Sequence, residues 1–231
     1  MIEPASPRLL IVGYGRMGRL VEALATEQGL QIAGRVTSSN AGHDDEWPAA
    51  DVAIDFSSGS AVPANAERLA ARGMDLVIGT TGWQAQEPAV REALSRYSVG
   101  VVAAPNFALG VNIFLAIAAR AAELMVARAE YGAWIHELHH RAKKDAPSGT
   151  AIGIREAMER AGYAAAIDVA STRAGSIPGT HTVGFDSAAD TITLTHTARD
   201  RSVFARGALE AARWVHGRRG WFSMQDVLGL R

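Results

Sequence analysis

The chain has 231 residues, 48% of them hydrophobic and 20% charged, with a formal net charge of −1. That balance provides a globular core for one large α/β domain or two small ones, and excludes the basic footprint of a nucleic-acid binder or an electrostatic membrane anchor. With no cysteines, disulfides and thiolate metal sites are excluded, in keeping with a reducing compartment.

Met1–Pro4 lacks the basic start of a signal peptide, and the apolar run Ala108–Ala119 is shorter than a membrane span. The expectation is a soluble cytoplasmic protein with no membrane and no nucleic-acid partner. Leu9–Val12 reads as a buried strand. Met17–Gln28 then reads as a helix with Leu20, Val21 and Leu24 on one face. Gln31–Val36, Val52–Phe56, Leu76–Ile78 and Val99–Ala103 are further strands, separated mostly by helices, of which Ala61–Arg72 and Glu87–Arg96 are two. This alternation predicts α/β architecture with a Rossmann-type, doubly wound parallel sheet.

After Phe107 the rhythm changes. Leu109–Arg128 is a long Ala-rich helix, Gly132–Leu138 a strand, and a further helix begins after Ser148. Thr180–Phe185 and Thr191–Thr197 alternate and are joined by the turn-like Asp186–Asp190, an antiparallel hairpin. Ser202–His216 is a closing helix with Phe204, Leu209, Ala212 and Val215 toward a core. The expected organisation is a dinucleotide-binding domain over residues 1–108 and an inserted α+β substrate-binding and oligomerisation domain over 109–201. The segment 202–231 returns to the first domain.

Gly13-Tyr14-Gly15-Arg16-Met17-Gly18 is a G-x-G-x-x-G between the first strand and the first helix. In that setting the first glycine permits the turn, the second lets a pyrophosphate approach, and the third lets helix and strand pack closely. The helix N-terminus offers the anion unsatisfied N–H groups. After the second strand, where such loops commonly place an acid for the ribose, stands Arg35-Val36-Thr37-Ser38-Ser39-Asn40, with hydroxyls and no carboxylate. A 2′-phosphate is therefore tolerated near Thr37, so NADPH or NADH is the expected cofactor, with NADPH modestly favoured. Phe56, at the end of the third strand, either packs on the cofactor or is buried there.

The run from His136 to Thr150 (HELHHRAKKDAPSGT) concentrates histidines, bases and acids where a strand ends and a helix starts. On an extended segment Glu137 and His139 share one face, and His136 and Leu138 the other. Pro147 keeps Ala146 out of the helix and Ser148 is a good N-cap. Ser148-Gly149-Thr150 thus forms a cradle of N–H and hydroxyl groups for a substrate carboxylate. No metal is expected: His139 and His140 diverge on a strand, and Arg141, Lys143 and Lys144 repel cations. His181 and His196 in the hairpin, and Trp134, Trp214 and Trp221, read as packing residues. Arg173 meets either a substrate carboxylate or an interface carboxylate, and the sequence leaves both open.

The run His139-His140-Arg141-Ala142-Lys143-Lys144-Asp145-Ala146-Pro147-Ser148-Gly149-Thr150-Ala151 closely resembles the signature of the dihydrodipicolinate reductase family. Further marks are Arg16-Met17-Gly18, Asp55-Phe56-Ser57, Gly79-Thr80-Thr81-Gly82, Ala104-Pro105-Asn106-Phe107 and Gly110-Val111-Asn112. Arg173-Ala174-Gly175, Gly179-Thr180-His181-Thr182, Thr195-His196, Arg201, Phe204-Ala205 and Gly207-Ala208 complete a resemblance over nearly the whole chain.

The resemblance implies NAD(P)H-dependent reduction of 4-hydroxy-2,3,4,5-tetrahydrodipicolinate to tetrahydrodipicolinate, in diaminopimelate and lysine biosynthesis, by a homotetramer. His139 then matches the proton donor/acceptor and Lys143 a second proton donor, while His140, Gly149 and Thr150 match substrate contacts. Gly13–Gly18, Gly79-Thr80-Thr81 and Ala104–Phe107 match cofactor contacts, and Arg201 a basic residue brought near the cofactor. The family's acid after the second strand has no counterpart, since Thr37 falls about there. Two other readings are an aspartate-dehydrogenase-like reductase of small amino-dicarboxylates and a non-enzymatic NAD(P)H-sensing module. A sensor has no need of His139 and Lys143 beside an anion cradle.

Overall fold

The computed structural model describes residues 6–230, so the Met1–Pro4 start lies outside the described residues. The chain forms two compact units, Met1–Leu109 with Ser202–Arg231, and Gly110–Arg201. In the first, β1 (Leu9–Val12), α1 (Arg16–Glu27), β2 (Ile32–Val36), β3 (Val52–Asp55), α2 (Val62–Ala71), β4 (Asp75–Ile78), α3 (Glu87–Leu94) and β5 (Gly100–Ala103) follow in order. The six-stranded sheet has the order β10-β5-β4-β3-β1-β2, in which β10 is Gly220–Phe222, and every pair is parallel. β1, β3 and β4 are buried at every residue, which is why they read as unbroken apolar runs rather than alternating ones. The order reverses between β1 and β3, and an open α/β sheet binds ligands beyond the strand ends at such a switch point.

One sheet face carries a core of Leu9, Ile11, Val21, Leu24, Ala208, Leu209, Ala212 and Val215, drawn from the strands, α1 and α6 (Ser202–Val215). Five of the seven buried residues of α6 are alanine or glycine. Any Cβ at Gly207 would lie 1.6 Å from the Phe107 carbonyl oxygen, so the helix can approach only without one. The other face packs Leu10, Ala53, Leu76 and Val101 of the strands against Leu69 of α2 and Val90 and Leu94 of α3. Truncating one such buried leucine to alanine costs about 2–5 kcal/mol.

The second unit begins within α4 (Leu109–Met125), followed by β6 (Gly132–His139), α5 (Gly149–Arg160), β7 (Ile167–Arg173), β8 (Thr180–Asp186) and β9 (Thr191–Thr197). Its sheet has the order β7-β6-β8-β9; β7 lies parallel to β6 and the other pairs are antiparallel. Phe114, Ala118 and Ala122 of α4 and Ala151, Ile154 and Met158 of α5 cover one sheet face, meeting Ala133, Ile135, Val183 and Phe185. Sequence periodicity misses β7, an edge strand with little apolar alternation, as well as the short β10 and α7 (Met224–Leu228). The long helix ends at Met125 rather than Arg128, where the chain turns with Arg128 N bonded to Met125 O. No helix among the described residues is long and apolar enough to cross a membrane.

Candidate active site

The first unit builds its glycine loop as backbone demands. Gly13 has φ +87°, and a Cβ there would lie 2.5 Å from the Phe56 carbonyl oxygen; one at Gly18 would lie 2.3 Å from Gly13 O. Gly15 is the N-cap of α1, has open space where a Cβ would stand, and supplies no side chain to the first-turn N–H groups. The loop therefore has the room and donor polarity that a dinucleotide pyrophosphate requires. Arg16 is exposed, while Tyr14 and Met17 are half-buried against the core.

Buried Asp55 ties the loops after β3 and β4 together. Its carboxylate accepts hydrogen bonds from Ser57 N (2.8 Å), Ser57 Oγ (2.6 Å), Thr80 Oγ1 (2.8 Å) and Asn65 Nδ2 (3.1 Å). Phe56 is half-buried, edge-on to Phe107 at 6.4 Å, with its ring filling the space where a Gly79 side chain would be. Phe107 is itself a core residue, so its ring packs inward. Thr80 is buried, Thr81 and Pro105 are exposed, Ala104 and Asn106 are half-buried, and Asn106 Oδ1 accepts from Ala108 N at 2.8 Å. Arg201 is exposed immediately before α6.

At the end of β2, Thr37 N donates to Asn40 Oδ1 (2.7 Å) and the Thr37 and Ser39 hydroxyls pair at 2.7 Å. A carboxylate that sequence proximity did not signal is also here. Glu22 of α1 accepts from both the Tyr14 hydroxyl and the Arg35 guanidinium, and Arg35 lies over the Tyr14 ring at 5.2 Å. Those two donors hold the Glu22 carboxyl below its ordinary range, Arg35 first.

In the second unit, β6 ends in the signature. Its burial alternates, so Glu137 and His139 point to the covered face together, as the pleat requires. Glu137 is fully buried and receives Arg173 from β7 on both oxygens, NH2 to Oε1 at 2.6 Å and NH1 to Oε2 at 3.0 Å. It also accepts from His139 Nδ1 and from Ser148 N (3.2 Å). Burial disfavours this carboxylate, yet the donors from Arg173, Ser171 and His139 prevail and hold its pKa at about 2. Burial lowers His139 below the ordinary imidazole value, with the Glu137 carboxylate opposing the shift.

Ser148 caps α5 by accepting from Ala151 N (3.2 Å), and its hydroxyl also meets His181 Nε2 at 3.0 Å. With Ser148 buried, the surface of the α5 start is that of exposed Gly149 and half-buried Thr150, and the Gly149 N–H donates to the Asp145 carboxylate. His181 packs edge-on to His139 at 5.1 Å; burial, then the neighbouring His139, pushes its pKa down to about 4. Lys143 Nζ is held by both Asp145 oxygens at 2.8 Å, and Arg173 donates to the Asp145 carbonyl at 2.6 Å. His140 is half-buried just beyond the strand. The sequence thus exposed the β6–α5 run and the burial of His181, but not that the carboxylate Arg173 meets is Glu137 or that register brings both residues beside His139.

Ligand atoms of Glu137, His139 and His181 lie within 4.8 Å of one another, a spacing a metal ion could bridge. The Glu137 oxygens already accept from Arg173, His139 and Ser148, and His181 Nε2 meets Ser148, while His181 Nδ1 is left without a partner. A cation would also have to displace the guanidinium.

A Rossmann sheet with a glycine loop at the first helix, and a second unit built around a buried histidine beside a helix N-terminus, have the architecture of a dinucleotide-dependent oxidoreductase. Residues 7–107 match the family described as dihydrodipicolinate reductase, N-terminus, and residues 110–228 match its C-terminus. The chain belongs to the dihydrodipicolinate reductase family, whose members are NAD(P)H-dependent. It is 39% identical to the 4-hydroxy-tetrahydrodipicolinate reductase of Rhodopseudomonas palustris (strain TIE-1), over 96% of this chain and 97% of that one. The enzyme of the same name from Granulibacter bethesdensis is 40% identical over 100% of both chains. A dipicolinate-bound dihydrodipicolinate reductase from Paenisporosarcina sp. TG-14 shares the fold with a TM-score of 0.75 at 20% identity, over 95% of this chain and 98% of that one.

Proposed function

We propose that this chain reduces 4-hydroxy-2,3,4,5-tetrahydrodipicolinate to tetrahydrodipicolinate in the diaminopimelate route to lysine. The observation that carries the reading is the buried His139, oriented by a neighbouring carboxylate on the strand that leads into the α5 cradle, in a chain of this family. One substrate carboxylate takes the N–H groups at the start of α5, displacing the Asp145 carboxylate from Gly149 N, where the helix dipole favours an anion. His140 and Lys143 meet the remaining polar groups, Lys143 exchanging Asp145 for substrate.

Loss of water from the substrate gives a conjugated imine, and a reduced nicotinamide, when bound, would supply the hydride taken up at C4. His139 then gives its proton to the adjacent carbon of the resulting enamine. Gly13–Gly18 hold the pyrophosphate; Phe56, Gly79-Thr80-Thr81, Ala104–Phe107 and Arg201 complete the nucleotide contacts, several through backbone. Both NADPH and NADH serve. NADPH has a modest advantage because residues 37–40 carry no acid, and Glu22, by neutralising Arg35, keeps that advantage small.

The enzyme works in the cytoplasm as a homotetramer. The sheet face opposite α4 and α5, with Trp134, Thr182 and Thr195, is left half-buried or exposed and is the surface that reading uses; light scattering on purified protein checks it. The activity is tested by adding freshly generated substrate and following loss of reduced-cofactor absorbance. His139→Gln should lower kcat by about a hundredfold or more, with nucleotide affinity unchanged. Full turnover by that variant removes His139 from the chemistry.

A further inference from the structure

We propose that Glu137, clamped by Arg173, is a positioning residue that fixes the tautomer and proton affinity of His139, so that Nε2 alone delivers the proton. This rests on His139 being the proton donor of the reading above.

Glu137 and His139 are two residues apart on β6, so the pleat places both on the covered face. There Oε2 of Glu137 meets Nδ1 of His139. An ionised carboxylate can only accept, so Nδ1 must carry a hydrogen in both the neutral and the charged ring. Nε2 is left as the atom that gains and loses a proton. It points at Gly179 of the turn before β8, where a Cβ would stand 3.0 Å away, and among the described residues it has no protein partner. When the proton leaves Nε2 for the substrate carbon, taking up the enamine's electron pair, the ring becomes neutral with Nδ1–H still on Glu137.

Arg173 is what makes this arrangement single-valued. Its fork fills both carboxylate oxygens and donates onward to the Thr172 and Asp145 carbonyls, so Glu137 cannot rotate away. Ser148 N on Oε1 joins the same carboxylate to the start of α5, which sets the distance between proton donor and anion cradle. A buried ion pair of this kind is weak evidence for stability, since apolar packing often does as well. Its placement on the reactive ring is what needs a function.

The charged and titratable groups facing His139 are Glu137 on β6, Arg173 on β7, His181 on β8 and Lys143 in the following loop. Of these, only Glu137 favours the imidazolium. Removing its charge therefore leaves burial and the cations to act alone, and His139 loses its proton at lower pH.

Two measurements test this. In the wild-type holoenzyme, long-range proton–nitrogen correlation NMR well above the His139 pKa should show a neutral ring with Nδ1–H and a bare Nε2. In Glu137→Gln, the limb on which kcat falls as pH rises should move down by about 1–3 pH units, the range for losing one adjacent opposite charge. The kcat at neutral pH should fall on the order of a hundredfold while KM changes little, and Glu137→Asp should restore the limb toward its wild-type position. An Nε2–H tautomer in the wild type, or an unmoved limb in folded Glu137→Gln, overturns the proposal. Should Glu137→Gln fail to fold, the wild-type spectrum decides alone. If His139→Gln loses activity while the Glu137→Gln limb stays put, only the positioning role falls. If His139→Gln keeps full turnover, the underlying reading falls instead.

Discussion

Acidification should unfold this protein earlier than its carboxylates alone require, and His181 should be the reason. In the folded chain the His181 pKa is about 4, against an ordinary 6.5, because its ring is 4% exposed and lies against His139. A depressed value means that the fold binds neutral histidine. That contribution is complete above 6.5 and is lost as pH falls from 6.5 through about 4. At about 1.4 kcal/mol per pH unit the full gap is worth about 3 kcal/mol, of which about 2 kcal/mol is gone by about pH 5.

Glu137, with a pKa of about 2, loses its own contribution only as pH falls below the ordinary 4.5, so it adds little down to about pH 5. His139 and His196 are also lowered by burial and act with the same sign. The comparison must therefore be made against His181→Gln, which keeps a polar group in reach of Ser148 Oγ but does not titrate. Urea unfolding at fixed protein concentration, at about pH 7.5 and about pH 5, should show the wild type losing about 2 kcal/mol more than the variant. Equal losses in the two proteins would mean that His181 is not held neutral, and the reasoning from burial would be wrong.

Gly179→Ala should lower kcat on the order of tenfold to a hundredfold without altering nucleotide affinity, because its φ is +148° and the new methyl would crowd His139 Nε2 at 3.0 Å; steady-state kinetics and nucleotide fluorescence titration report both. Pyridine-2,6-dicarboxylate should compete with substrate in initial-rate kinetics, because its flat ring brings a carboxylate to the α5 start but has no position that accepts hydride. Thr150→Val should weaken it by about 1.5–3 kcal/mol and spare NADPH binding; the reverse pattern would assign the α5 cradle to the nucleotide. Thr37→Glu should turn cofactor preference toward NADH by repelling a 2′-phosphate, whereas Glu22→Gln should widen the NADPH advantage by releasing Arg35, both read from the ratio of kcat/KM values.

Much of this was legible in the chain of residues alone. The Gly13–Gly18 spacing between a strand and a helix announced the tight glycine turn into α1, because turn, close approach and helix start are all local demands on backbone. The Glu137/His139 face followed from the strand's two-residue period, and the α5 start from Pro147 and the Ser148 cap. The family resemblance rested on the same local runs.

What the sequence could not supply was the neighbours across the sheet. β6 pairs in parallel with β7, setting His139 opposite Arg173, and antiparallel with β8, setting Glu137 opposite His181. Arg173 thus reaches Glu137 across 36 residues of chain, and His181 reaches Ser148 across 33. Likewise Glu22 meets Arg35 only because β2 lies beside β1, on which α1 packs. Periodicity fixes which way a side chain points on its own strand, since that depends on a pleat of two residues. Which residue stands opposite depends on strand order and register, which the collapse of the whole unit around Ile135, Val183 and Phe185 determines.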